Sequence, residues 1–449
     1  MQHVRDVDLA KRKGNLNSTS RSWVARFGEI ISPKLLVANV GSLMLSLVTI
    51  KALSTMMSVD MFAAYVLIIT FQAFATFSLT GPLRGGLTRY HASALISLDD
   101  AEYRRFAFAA FAASALITSF GAVVVVHAFD FGSVVTVQGV VFAVLYGVLS
   151  DYASFLSIAA LQMARGWLAV WLMMVGKLAL LAGAVLVFII FDAVEPEIVL
   201  LSAILIFSVT LFMMRSFSVG SASIRSLFVD LNWAARTPPV VRFGWIFVAT
   251  GLISWAQMSM PRYFLSWWQA PEEVVRFFLV SQIALLSMMT VTAVIGQTIS
   301  PKLFIRHDDM FMLPHSPWQY ELLGGVGLAI LAALVAIFIS LFAGDWVIAL
   351  VSKKDYRDMS SLLAISFATY GFYAAAQVLR IYGDQIKRPQ IYLAANIVYP
   401  AAAVGLSFLA VKHGLIFLCL ALLTSEAIHF AMIAAINHRQ YTSREYTHE

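Results

Sequence analysis

Apolar residues run along this chain of 449 residues in blocks far longer than one face of a soluble helix needs, and the polar residues are compressed into the gaps between them. A helix that crosses hydrocarbon takes about 20 mainly apolar residues. Twelve stretches meet that length. Pro33–Leu53, Met61–Thr80, Phe106–Phe129, Val135–Leu161, Trp167–Phe191 and Ile198–Met214 form a first set; Phe243–Leu265, Phe277–Ile299, Leu322–Phe342, Met359–Val378, Ile391–Val411 and Leu415–Ile436 form a second. Lipid offers backbone N–H and C=O groups no partner, so such blocks are helices. The pattern predicts an all-α integral membrane protein with about twelve transmembrane helices. Trp346–Leu350 is apolar but too short to cross, and is expected to lie at the interface between the ninth and tenth spans. Before the first span, Trp23, Phe27 and Ile31 recur at a spacing of four among Arg21, Arg26 and Lys34, the pattern of a short amphipathic helix on the membrane surface. The predicted organisation is a tail over 1–32, a six-helix bundle over 33–214, a polar linker over 215–242, a second six-helix bundle over 243–436 and a tail over 437–449.

Composition agrees with this class. Apolar residues make up 60% of the chain and charged ones 12%, about half the charged share of a soluble domain, so a soluble fold would have no surface left. The single cysteine, Cys419, rules out a disulfide framework and a cysteine metal site. No Gly-Lys-Ser phosphate loop occurs, so ATP is not the direct energy source, and no cofactor is implied. The net charge of +6 is topological and gives no reason to expect a nucleic-acid partner. With the N-terminus placed in the cytoplasm, 23 Lys and Arg fall in the tails and loops on that side and 7 on the other. The positive-inside rule then predicts a multi-pass protein of a bacterial inner membrane with both termini cytoplasmic. Met1–Asn17 mixes charges without an apolar core and is not expected to act as a cleaved signal.

The two sets of six resemble each other. A shift of 210 or 211 residues carries Trp23 to Trp233, Pro33 to Phe243, Lys51 to Arg262 and Gln72 to Gln282, and further along Tyr146-Gly147 is matched by Tyr370-Gly371. Six spans per unit make this a parallel repeat, with a pseudo-two-fold axis along the membrane normal.

The run Lys51-Ala52-Leu53-Ser54, followed by Ser58-Val59-Asp60-Met61-Phe62-Ala63-Ala64-Tyr65, resembles the first hairpin of polysaccharide and O-antigen flippases of the multidrug/oligosaccharidyl-lipid/polysaccharide (MOP) exporter superfamily. Ala63 stands where those proteins usually have glycine. Arg89 after the second span and Pro261-Arg262 in the seventh extend the similarity, as does the layout of two six-helix halves. The resemblance implies a V-shaped pair of bundles around a cavity that opens alternately to each side. Its cargo would be a lipid-linked oligosaccharide carried on polyprenyl pyrophosphate, with membrane lipids around it and polysaccharide assembly machinery beside it. A multidrug cation antiporter of the same superfamily and a polytopic polymerase or glycosyltransferase are the alternatives; the last is an enzyme that needs larger outer loops than this chain has.

A charged, hydroxylated head group needs a polar path, because one charge at the bilayer centre costs about 2.5–3.5 kcal/mol on insertion scales. The clearest path is in the tenth span. Ser366, Tyr370, Tyr373, Gln377, Arg380 and Asp384 recur every three or four residues and share one helix face. Their rings and amides suit sugars, although interhelical polar contacts produce the same pattern. Asn39, Ser42, Ser46 and Thr49 form a second stripe on the first span, open to a cavity reading or a close-packing one. Gln72 and Gln282 are candidate lining residues within the second and eighth spans. By resemblance, Lys51 and Arg262 present one cation from each half to a pyrophosphate; snorkelling to outer head groups is the alternative. Asp151 and Lys177 lie at similar depth in adjacent spans and are expected to pair, as a structural bridge or as a coupling site. Glu426 and His429, one turn apart on the last span, read as packed or coupling residues.

Overall fold

The computed structural model describes residues 36–96, 100–129, 131, 135–163, 165–191, 194–214, 233–305, 317–353, 356, 358–385 and 389–445. The predicted surface helix around Trp23 and residues 215–232 of the predicted linker lie outside this set. Twelve long helical elements occur among the described residues. They are α1 (Leu36–Met56), α2 (59–96), α3 (Asp100–Ala128), α4 (Val137–Gln162), α5 (Gly166–Ile190), α6 (Pro196–Met213), α7 (Trp233–Trp268), α8 (Pro271–Ile305), α9 (Pro317–Val351), α10 (Ser360–Gln385), α11 (Leu393–Ala410) and α12 (Leu415–Glu445). Eleven of them are long and apolar enough to cross a membrane. The remaining one, α7, carries Thr250, Ser254, Gln257, Ser259 and Arg262 along its second half.

The helix ends follow the local chemistry. Ser58 caps α2 by accepting from the Met61 amide, and Thr136 caps α4 by accepting from the Gly139 amide at 3.1 Å. Proline opens α6, α8 and α9, where its missing N–H has no partner to lose. The outward faces are apolar: Leu116, Phe120, Ile189, Met213 and Phe342 are between 74% and 79% exposed. Large exposed side chains in this number belong against lipid, not water.

Neighbour relations in the first six helices recur in the last six. α3 packs on α4 as α9 does on α10, and the α2–α4, α4–α6 and α5–α6 contacts recur as α8–α10, α10–α12 and α11–α12. The α7–α11 contact has its counterpart in α1–α5, where Met174 lies against Gly41. The halves meet mainly through α2, which packs against both α7 and α8.

Three expectations from the sequence change. The second span does not stop at Thr80: α2 runs through a π-helical turn, Thr76–Thr80, into Gly81–Ile96. Pro82 has no N–H for the carbonyl four residues back, and the Thr80 hydroxyl bonds the Ala75 carbonyl at 2.9 Å, so the chain widens into a π turn and continues. Trp346–Leu350 is no separate interfacial segment but the last turns of α9. Residues 233–242 of the predicted linker are the first turns of α7.

One approach between the halves is unusually close. A Cβ on Gly251 of α7 would lie 1.8 Å from the carbonyl oxygen of Phe77, in the π turn of α2, and one on Gly86 would lie 2.9 Å from Val240 Cγ1. Small residues let helix backbones touch in this way. Around this seam Trp255 Nε1 donates to the Thr70 carbonyl at 2.9 Å, and the hydroxyls of Thr70 and Tyr263 share a hydrogen bond of the same length.

Candidate functional site

In the first half the polar centre is Asp151. It is 3% exposed on α4 and is held by two residues of α2, Arg84 Nη1 at 2.7 Å and the Thr80 hydroxyl at 2.5 Å. The π turn sets Thr80 Oγ1 within reach of both the Ala75 carbonyl and Asp151, which share its single proton. The expected pair of Asp151 with Lys177 does not form. Equal depth is not equal direction: α4 turns Asp151 toward α2, while α5 turns Lys177 toward α1, where its Nζ donates to the Ser42 carbonyl at 3.1 Å. Arg84 was hidden because Gly81-Pro82 reads as a loop, whereas it lies inside a helix with its side chain one-third exposed.

The α1 stripe turns back on its own helix. Ser46 donates to the Ser42 carbonyl at 2.9 Å and Thr49 to the Leu45 carbonyl at 2.7 Å, which favours close packing over a hydrated wall. Asn39 is half-buried one turn before Ser42, and Gln72 and Gln282 are half-buried on α2 and α8.

The two predicted outer cations behave differently from each other. Lys51 reaches across to the second half, where its Nζ donates to the carbonyls of Ala349, at 2.9 Å, and Ser352. Arg262 does not close its helix near water, because α7 continues to Trp268. It is 7% exposed, lies 5.3 Å from the centre of the Phe278 ring and has no hydrogen-bond partner for Nε.

Asp384 of the predicted α10 face has a side chain outside the described set. Tyr370, Tyr373, Gln377 and Arg380 are half-buried, Ser366 is buried, and Ala374, Ala375 and Ala376 pack against neighbours. Arg262 and Glu426 both lie within electrostatic reach of Tyr370, and Glu426 and Arg380 of Tyr373. The α10 face thus feels the charges of one arginine of α7 and of the carboxylate of α12.

Glu426 itself is enclosed. The Tyr399 hydroxyl donates to its Oε1, Gln257 Nε2 reaches the same oxygen at 3.3 Å, and His429 Nδ1 stands 3.4 Å from Oε2. Tyr399 also accepts from Gln257 and stacks on His429 with ring centres 4.1 Å apart. Neither Gln257 nor Tyr399 stood out in the sequence, because spacing along one helix does not show which residues of other helices it will face.

Two interior carboxylates and two interior cations differ in their surroundings. Both carboxylates are engaged by protein donors, Asp151 by Arg84 and Thr80, Glu426 by Tyr399 and Gln257 with His429 beside it. Lys177 and Arg262, one in each half, meet no carboxylate among the described residues. A cation removed from water without a counter-ion is costly.

Neither a family model nor a curated protein matches the sequence. Solved structures do match in shape. The inward-facing form of a multidrug resistance MATE family transporter of the MOP superfamily aligns over 92% of this chain and 99% of its own, at 10% identity and a TM-score of 0.68. The fold is that of the MOP superfamily. An outward-facing MATE form aligns over 94% and 97% at 12% identity with a TM-score of 0.59. The lipid II flippase MurJ, in an inward closed conformation, covers 88% of this chain and 86% of its own at 14% identity and 0.59. In this MOP fold the resemblance of the first hairpin and the duplicated neighbour pattern meet on one architecture, and the contacts between halves through Lys51, Phe62 and Tyr263 lie toward the end away from the termini.

Proposed function

We propose that this protein is an alternating-access transporter that moves a lipid-linked oligosaccharide or polysaccharide precursor, through its pyrophosphate head group, from the cytoplasmic to the outer face of the inner membrane. The observation that carries this reading is a cation without a carboxylate in each half, half-buried Lys177 against α1 and buried Arg262 near the tyrosine-rich face of α10. A multidrug antiporter that took cations would need free interior carboxylates, and Asp151 and Glu426 are both occupied. The shared fold with a protein described as a lipid II flippase supports a lipid-linked cargo; the higher similarity to MATE transporters keeps the cation-antiporter reading as the competitor.

Removing an uncompensated buried charge relieves a desolvation cost instead of breaking a bond. Arg262→Met and Lys177→Met are therefore expected to leave membrane abundance equal to or above the parent, while each lowers flipping more than tenfold, the loss of one charged contact to phosphate at about 1.5–3 kcal/mol. Proteoliposomes carrying a fluorescent polyprenyl-pyrophosphate oligosaccharide, probed with an impermeant quencher, measure this. Parental rates in both variants would remove the anion-binding reading, and parental rates together with lost export of a lipophilic cation would favour the antiporter.

The orientation has its own test. Reporters fused in the 215–232 segment and after Ile436 are expected to read cytoplasm, and one in the 129–135 turn the outside. A reversed pattern would turn the proposed direction of flipping around.

A further inference from the structure

At the end of the bundle away from the termini, two lysines are exchanged between the halves. Lys51, near the end of α1, donates across the interface to the carbonyls of Ala349 and Ser352 at the end of α9. Lys353, just past α9, donates back to the Met57 carbonyl just past α1 at 3.2 Å. Ala349 lies in the last turn of α9, and Ser352 and Met57 are the first residues past the ends of α9 and α1, where carbonyls have no partner within the helix and the macrodipole is negative. Helix α1 ends at Met56 and α9 at Val351, so each lysine neutralises the open end of the other half's helix. No carboxylate among the described residues takes part. Beneath the lysines the seam is aromatic: Phe62 meets Phe278 edge to face, and Phe131 stacks on Tyr263 at 4.0 Å.

We propose that Lys51 and Lys353 form a reciprocal clasp that holds this end of the transporter shut and must be undone on both sides before it opens. The aromatic seam excludes water without being specific to one register, whereas the two lysines bond only when the ends of α1 and α9 stand side by side. Lys51 is thus a gating residue in this conformation and not a ligand for the head group. A helix-end carbonyl released into water is readily solvated, so the clasp can be broken and remade in each cycle. The inference rests on the alternating movement of the two halves but not on the identity of the cargo.

The test reads distances and not transport. In a background with Cys419→Ser, which removes the one native cysteine, spin labels at Val137 of α4 and Trp346 of α9, both exposed, report the clasped end. A second pair at Trp167 of α5 and Leu323 of α9 reports the termini end. Lys51→Gln with Lys353→Gln is expected to move the clasped-end pair to longer distances and the termini-end pair to shorter ones, with the closed-to-open ratio falling about tenfold for each charged hydrogen bond lost. Lys51→Arg, which still donates, is expected to stay near the parent. Widening at the clasped end alone would mean local fraying of α9 and overturn the proposal. No change at the clasped end would overturn it as well. In that case a termini-end pair with two populations leaves the alternating movement intact, and a single population at both ends removes the movement too.

Discussion

Gly251→Ala is expected to remove most of the folded protein. The added methyl would lie 1.8 Å from the Phe77 carbonyl oxygen and 2.7 Å from its carbon, and the obstacle is backbone, which has no rotamer to change. Overpacking a core where side chains can yield costs about 1–3 kcal/mol. Here Phe77 sits in the π turn Thr76–Thr80, whose Thr80 is tied to Asp151, so yielding would disturb the buried ion pair as well. The cost belongs at or above the top of that range, and α2 and α7 would part at the seam that joins the halves. Size-exclusion profiles and thermal unfolding of the detergent-solubilised protein measure it. Gly296→Ala and Gly324→Ala, where an added methyl meets nothing within 4 Å, are the controls; helix propensity favours them by about 0.5–1 kcal/mol. Equal stability of Gly251→Ala and these controls would mean that the halves do not approach as closely as described.

The fold was legible in the sequence because hydrocarbon imposes one rule on every span. Block length alone located the twelve helices, and a shift of about 210 residues found a repeat whose neighbour contacts recur. What the block pattern missed were the ends: the π turn that carries α2 past Gly81-Pro82, and the last turns of α9 around Trp346. Polarity marks where lipid stops, not where a helix stops, so helices that outrun the hydrocarbon are cut short. The candidate site was legible along one helix and illegible between helices. The α10 face followed from spacing, since residues three and four apart share a face. The partner of Asp151 did not follow, because the rotation of α4 about its own axis is set by packing against α2, and depth carries no information about it. Lys51 and Arg262, matched by the repeat, ended in unlike surroundings, one bonded to carbonyls across the interface and one buried over Phe278.

Breaking the Arg84–Asp151 pair is expected to have the second large effect, and an asymmetric one. Removing one member of a fully buried pair costs about 3–5 kcal/mol, because the other is left charged and without water. Asp151 is enclosed, with 4% of its side chain exposed, while Arg84 retains 34%. Arg84→Met strands the enclosed carboxylate and belongs near that range; Asp151→Ala strands an arginine that reaches solvent and costs less. Asp151→Asn keeps an acceptor for the Thr80 hydroxyl, which bonds at 2.5 Å in the parent, and should be the mildest of the three. The order of membrane abundance is therefore expected to be parent, Asp151→Asn, Asp151→Ala, Arg84→Met, with partial recovery in the exchanged double variant Arg84→Asp with Asp151→Arg. Lys177→Met is the discriminating control. It bonds only the Ser42 carbonyl and contributes nothing to Asp151, so its abundance should match the parent whatever happens to its transport. If Lys177→Met fell as far as Arg84→Met, Lys177 would be sharing the burden of Asp151 in the membrane, and the division of interior charges into neutralised carboxylates and free cations would not hold.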